Sequence, residues 1–420
     1  MYIVLTIICF IFSIAILFKD GQSRLLTFLV AITFLPYGFE VSYKLSAPRI
    51  LVLAFFLSIL IRRNDVLSLK KMPCAFLMLM VFVAHMLTGL LDHRLSVASG
   101  IGKALVMYGE TFGGILLGYT SFKIIDNNKE RKLVKVILGL SIIVSLYALF
   151  CLVIKADPFS SAIGDTDSMN DDRHRISSFF FNSHMAGFAI SVFILMMLYF
   201  RQKIKFSSSQ NIILILMFVS LLLTKSRSSL LDLFAGCIVL YSSFLFQSSN
   251  KMKNIGTGLI ALLVVYLLVG ETIMQQFTDA FKDDGGDTGG SNVSMRMQQL
   301  SFSFDLFLQN PWFGNGFNYF WDNIKAKDNY LSSMLLGAES YVFILLIERG
   351  LIQIITISVY FIWLYRYFLQ HKSRESTLAM ALLTAFLVNS IVTGNTYKWI
   401  FVMPFMGYYL RFVQLKIKKN

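Results

Sequence analysis

Apolar residues run along this chain in long continuous blocks separated by short polar links, without the alternation that marks strands. The blocks fall near 2–18, 25–39, 48–61, 72–91, 101–122, 133–154, 179–200, 211–224, 229–246, 255–273, 341–365, 377–393 and 398–413. Each predicts a helix able to bury its whole circumference in lipid or among other helices. The pattern predicts an all-α polytopic integral membrane protein with about 12 to 13 transmembrane helices, all of residues 1–420 forming one membrane domain. The second and third blocks are short and fit a tilted or re-entrant pair. Tyr2 to Phe18 lacks a basic leader and a small-residue cleavage site, so it is read as a retained span.

One stretch, 272–340, breaks the rhythm. It opens on an acidic, glycine-rich run, Asp283 to Asp287, and continues into a segment where Met297, Leu300, Phe304, Phe307 and Leu308 recur at helical spacing beside Arg296. That spacing predicts an amphipathic helix lying along the membrane surface. A turn follows from Asn310-Pro311 through Gly314, Asn315 and Gly316 to Phe317, and the stretch ends on Glu339-Ser340. A long loop with its own helix is where a membrane enzyme keeps its chemistry, and a simple transporter needs none.

Composition agrees with the pattern: 56% of the 420 residues are hydrophobic and 15% charged, which excludes an ordinary soluble domain. Continuous apolar runs also exclude a barrel. The net charge of +14 invites a nucleic-acid partner, but its distribution points elsewhere. The links Lys19–Arg24, Arg62–Lys71, Lys123–Lys132, Arg201–Lys205, Lys251–Lys253, Arg366–Arg374 and the tail Arg411–Lys419 fall on one side, with roughly 22 basic residues against about 14 on the other. These loops are therefore expected in the cytoplasm, with 155–178, the link Lys225–Ser229 and the long loop facing outward. Basicity here reports topology, and no nucleic acid is expected. Cys9, Cys74, Cys151 and Cys237 all fall within predicted spans at spacings that suit neither zinc nor a disulfide framework, so core packing is expected.

Arginines at the outer membrane border form a set. Arg173 and Arg175 end the loop 155–178, Arg227 sits in a link short enough to be a tight turn, and Arg296 opens the amphipathic helix. Guanidinium groups pair bidentately with phosphate oxygens and stay charged, so the set could hold a diphosphate. Equally, each could anchor a helix end by snorkelling to headgroups. Glu339 is either a general base or a helix N-terminal acid beside a capping Ser340. Glu348 and Arg349, two turns into the next span, read as a mutually neutralising pair that fixes packing. Glu110 and Asp232, inside spans, are open to functional or structural roles. His184 is read as a polar helix-start residue, and no second ligand at metal spacing accompanies it or His174. Asp283 to Asp287 reads as a solvated tip, and Asn292-Val293-Ser294 as a chance match to a glycosylation acceptor.

Together these segments resemble the O-antigen ligase and polymerase superfamily of bacterial membrane glycosyltransferases, over roughly residues 170–366. Arg175 to Ala186 is similar to the family's Arg-x-x-Gly-x-Phe-x-Asn-Pro-Asn pattern, with Asn182 matching and Ser178, Ser183 and His184 standing for Gly, Pro and Asn. Thr224 to Ser228 resembles its Ser-Arg turn. Arg296 followed by Asn310-Pro311, Gly314 and Gly316 resembles its Asn-Pro-x-x-Gly-x-Gly ending, and Glu339-Ser340 followed by Glu348-Arg349-Gly350 its last block. Ligases of the family carry a His before a residue such as Ser, with a Gly ten residues later. Ser340 and Gly350 fit that spacing while Glu339 replaces the His, which favours a Wzy-type polymerase.

The resemblance implies a GT-C-like helical enzyme of the bacterial cytoplasmic membrane, its long loop outside. It implies a donor glycan on undecaprenyl diphosphate and an acceptor repeat unit on the same lipid. A hydroxyl of the acceptor would attack the donor's anomeric carbon. Arg175, Arg227 and Arg296 would contact the diphosphate, Glu339 would act as base, and Arg173, Asn182, Ser340, Gly314 and Gly316 would support them. No cofactor, metal or nucleotide sugar is implied; a chain-length regulator and a flippase of the same pathway are implied partners. A ligase to another acceptor, a flippase or transporter of lipid-linked sugars, and a non-enzymatic scaffold stay open beside it.

Overall fold

The computed structural model describes residues 2–35, 39–42, 45–122, 127–159, 176–180, 182–203, 207–247, 293–320, 340–394 and 398–418. Twelve of the thirteen apolar blocks coincide with helices here, and the block 255–273 lies outside the described residues. The helices are α1 (Tyr2–Phe18), α2 (Gly21–Phe34), α3 (Ala47–Ile61), the short α4 (Arg63–Leu69), α5 (Ala75–Leu90), α6 (Val97–Ser121) and α7 (Asn127–Ile154). After them come α8 (Ser183–Lys203), α9 (Ser208–Leu223), α10 (Arg227–Gln247), α11 (Val293–Gln309), α12 (Tyr341–Gln370), α13 (Arg374–Val392) and α14 (Trp399–Ile417). The short second and third blocks are joined by a small antiparallel hairpin, β1 (Glu40–Ser42) with β2 (Leu45–Ser46). Among the described residues, four helices are long and apolar enough to cross a membrane by length and composition, and five further apolar helices are shorter. The chain is a multi-pass helical membrane protein.

α8 and α14 form the centre. Nearly every side chain of each is buried, so both are apolar all round, as a helix without a lipid face must be. Peripheral helices instead turn residues such as Leu60, Val153 and Ile362 outward. α6 and α14 approach closely because glycine faces backbone on both sides: a Cβ on Gly118 would fall on the Pro404 carbonyl, and one on Gly407 on that of Ile115. With lipid as apolar as leucine, such close van der Waals contact is what drives helices together.

Two clusters of paired charges tie helices together. Arg24 of α2 donates to Asp65 of α4 at 2.9 Å, to Ser58 of α3 at 2.8 Å and to Thr120 of α6 at 2.9 Å, and lies over the Phe55 ring. Lys203 joins α8 to Glu130 of α7 and Glu375 of α13. Arg24, Asp65, Glu130 and Lys203 all belong to the basic links. The four cysteines are free thiols, three of them buried, as the spans predict. Elsewhere the α5–α6 link meets the turn after α11 through Asp92, Arg94 and Phe317, and Ile176 N–H donates to Leu223 O beside the α9–α10 turn.

Candidate functional site

Two of the motif blocks meet where α8 and α10 begin. Asn182 accepts from the Met185 N–H at 2.9 Å and so caps α8. Thr224, Lys225 and Ser226 turn the chain from α9 into α10, with Lys225 in the left-handed region (φ 49°) and Arg227 as the first residue of α10. His184 Nδ1 lies 3.2 Å from Ser226 Oγ, which in turn reaches Ser229 Oγ at 2.8 Å. Gly187 permits this, because a Cβ there would strike Ser229 and Thr224. Ser178, at the position where the family pattern has glycine, also adopts a left-handed backbone (φ 54°) and donates to the Val144 carbonyl. A left-handed residue is what that glycine provides.

The other two blocks form a second unit, built around a break in α12. Gly350 leaves helical geometry there (φ 66°, ψ −172°). The break frees carbonyls and N–H groups, and the turn after α11 supplies their partners. Asn315 N–H donates to Ile347 O at 2.8 Å and Gly316 N–H to Glu348 O at 3.0 Å, while Leu351 and Ile352 donate to Pro311 and Trp312 carbonyls. The Asn315 side chain adds bonds to Leu306 O and Ile347 O. Gly314 and Gly316 are both left-handed, at φ 75° and 97°. They are there for closeness: a Cβ on Gly316 would meet the Asp92 carboxylate. Asp92 and Arg94 form a bidentate pair, and Arg94 Nη2 donates to Phe317 O at 3.0 Å, so the α5–α6 link grips the same turn.

Glu348 and Arg349 do not neutralise one another by contact, contrary to the expectation from their adjacency. Glu348 accepts from the Phe320 N–H at 3.2 Å. Arg349 lies over the Phe317 ring and donates to His85 Nε2 at 3.2 Å. That bond requires the His85 proton on Nδ1, which faces the Val81 carbonyl at 2.9 Å. Neighbours in sequence on the broken helix thus take separate partners, Glu348 a main-chain group of the inserted turn and Arg349 an α5 imidazole and the Phe317 ring stacked on it. Ser340 also departs from expectation. It precedes α12 without a side-chain cap bond, and its buried hydroxyl has no partner. Tyr341 N–H is held by Thr393 O at 3.0 Å instead.

Arg296 and Arg227, both half-buried, stand on different neighbours: α11 packs on α12, and α10 packs on α8 and α13. α11 turns Met297, Phe304 and Leu308 outward, as an interfacial helix would, but Phe307 faces the protein. Glu110 pairs with Arg49, and Asp232 with Asn389. Arg173, Arg175, His174, Glu339, the run Asp283 to Asp287 and Asn292 lie outside the described residues. Among the described residues, no group of three or more His, Cys, Asp or Glu side chains converges.

One further residue is not singled out by sequence reasoning. Lys398, preceding α14, is buried and donates to Asn389 Oδ1 at 2.5 Å and Thr393 Oγ1 at 2.7 Å. It reads in sequence as the first residue of an apolar run; its only signal is a lysine with nothing basic nearby.

The described residues define a polytopic helical membrane protein in which two motif blocks meet where α8 and α10 begin and two meet at the break in α12. Residues 212–358, about a third of the chain, match the O-antigen ligase family model, which supports the resemblance to the O-antigen ligase and polymerase superfamily. The match carries a function of the ligase or polymerase type, a glycosyltransferase-like activity on lipid-linked glycans in a membrane. It covers the Arg227 turn, Arg296, the broken helix and the residues between, while Arg175 to Ala186 precede it. No curated protein matches the chain.

Proposed function

We propose that the protein is a Wzy-type polymerase of the bacterial cytoplasmic membrane, with the long loop on the outer face. It transfers a growing glycan from undecaprenyl diphosphate to a new lipid-linked repeat unit. The observation that carries this reading is the insertion of the Asn310–Phe320 turn into the α12 break, which draws the limb bearing Arg296 against the helix that begins after Glu339. Arg175, Arg227 and Arg296 contact the donor diphosphate, where negative charge develops as the lipid leaves, and preorganised guanidinium groups stabilise that charge. Glu339 takes the proton of the attacking hydroxyl. The hydroxyl oxygen bonds to the anomeric carbon, the bond from that carbon to the diphosphate oxygen breaks, and its electron pair leaves with the lipid. Arg173, Asn182 and Ser340 support the two ends of the site, and Gly314 and Gly316 seat the turn.

Glu339 in place of a ligase-type histidine supports the polymerase over a ligase. The test is a gel ladder of surface polysaccharide from a deletion strain complemented with wild type, Glu339→Gln or Arg227→Ala. Collapse to a single repeat, rescued by wild type and by neither variant, is expected. A normal ladder in the deletion strain sinks the polymerase reading. Full-length polymer retained on the carrier lipid favours the ligase.

A further inference from the structure

The two motif units are joined by a buried polar chain. Asp232, one turn after Arg227 on α10, is fully buried. It accepts from Asn389 Nδ2 on α13 through one oxygen, while its other oxygen, Oδ1, has no partner. Asn389 Oδ1 accepts from Lys398, which is 1% exposed. Lys398 also holds Thr393 Oγ1 and lies 5.7 Å from the Phe188 ring centroid on α8. Thr393 in turn accepts the Tyr341 N–H through its carbonyl, and Trp399, next to Lys398, packs edge-on against Tyr341 at 5.7 Å. The chain thus runs from the helix that starts at Arg227 to the first residue of α12, two positions after Glu339.

We propose that Lys398, Asn389 and Asp232 act as positioning residues that set the separation between the Arg227 turn and the start of α12, and so between the diphosphate subsite and the base. This rests on the polymerase reading for its chemical meaning. The geometry is unlike that of the ion pairs elsewhere in the bundle. Arg24 and Asp65 touch directly, whereas Lys398 and Asp232 are opposite charges separated by an amide that must present its oxygen to one and its nitrogen to the other. An amide has one way to satisfy both, so the chain fixes direction as well as distance. A pair needed only for cohesion gains nothing from the interposed amide. Buried ionisable groups at membrane depth are retained where they do something specific.

The experiment separates cohesion from positioning. Lys398→Met and Asp232→Asn each leave one buried charge without its counterpart and are expected to lower Tm. The double variant leaves neither, so its Tm returns towards wild type. Spin labels at Lys225 and Val342, on a background in which Cys237 is replaced, report the separation directly. The double variant is expected to broaden that distance distribution and to lower kcat for chain extension by about 100-fold, as misplacement by about 1 Å does, with the donor KM within about threefold. Lys398→Arg, which keeps the charge and donors, is expected to recover part of kcat. An unchanged distance distribution in the double variant overturns the proposal whatever the turnover, and so does full turnover in that variant. A wild-type protein that extends no glycan sinks the polymerase reading instead, and the distance measurement still decides the positioning.

Discussion

Gly314 and Gly350 meet backbone to backbone. A Cβ on Gly350 would fall on the Gly314 nitrogen and the Trp312 carbonyl, and one on Gly314 would fall on the peptide joining Glu348 to Arg349. Both also sit at positive φ. Gly350→Ala and Gly314→Ala should each destabilise the protein by about 2 kcal/mol or more, from a strained backbone plus a clash that no rotamer relieves. Thermal unfolding in detergent measures this, and an unshifted Tm in both variants would show that the turn is not seated in the break.

Ser178 offers the converse case. Its left-handed backbone suits glycine, so Ser178→Gly should stay within about 1 kcal/mol of wild type, the lost bond to Val144 O offsetting relief of strain. Ser178→Val should be clearly worse, because a β-branched residue is excluded from that region. Equal Tm values for the two variants would contradict the assigned conformation.

Legibility in the sequence divides along the same line as locality. Twelve helices are readable because an apolar run long enough for a helix advertises itself without help from the rest of the chain. Asn310 to Phe317 and Glu348 to Gly350 are visible as motifs, but nothing in their spacing says that one plugs a gap in the other. That relation exists only after α11 packs on α12. Glu348-Arg349 misleads for the same reason, since adjacency in sequence invites pairing while the broken helix offers each side chain a different neighbour. Lys398 is hidden by the run 398–413, whose apolar character absorbs it. Asp232 is noticed as a charge in a span, and its amide partner 157 residues away is not.

Glu348 allows charge and hydrogen bonding to be told apart. It accepts the Phe320 N–H and forms no salt bridge with Arg349, so Glu348→Gln, which keeps an acceptor, should fold nearly as well as wild type. Glu348→Leu should lose about 1–3 kcal/mol by stranding a buried donor. If the glutamine variant is as unstable as the leucine variant, the carboxylate's charge, and not its acceptor, is what matters.

Arg227 and Arg296 should not tolerate lysine if they grip phosphate oxygens in pairs. Arg227→Lys and Arg296→Lys are expected to lower kcat/KM by about 10-fold or more, and the alanine variants by about 100-fold. Chain extension on a lipid-linked donor provides the readout. Lysine variants at wild-type rate would return both residues to a headgroup-anchoring role.

The turn lodged in α12 also limits how the site opens. Four main-chain bonds tie residues 311–316 to residues 347–352. Lifting the turn away would leave those groups bare at depth, at about 1–3 kcal/mol for each. This limb is therefore a fixed wall and not a door. On the polymerase reading, lipid-borne sugars would be admitted, and the lengthened product released, past some other side of the bundle, while α11, which carries Arg296 and packs on α12, stays on the stationary side.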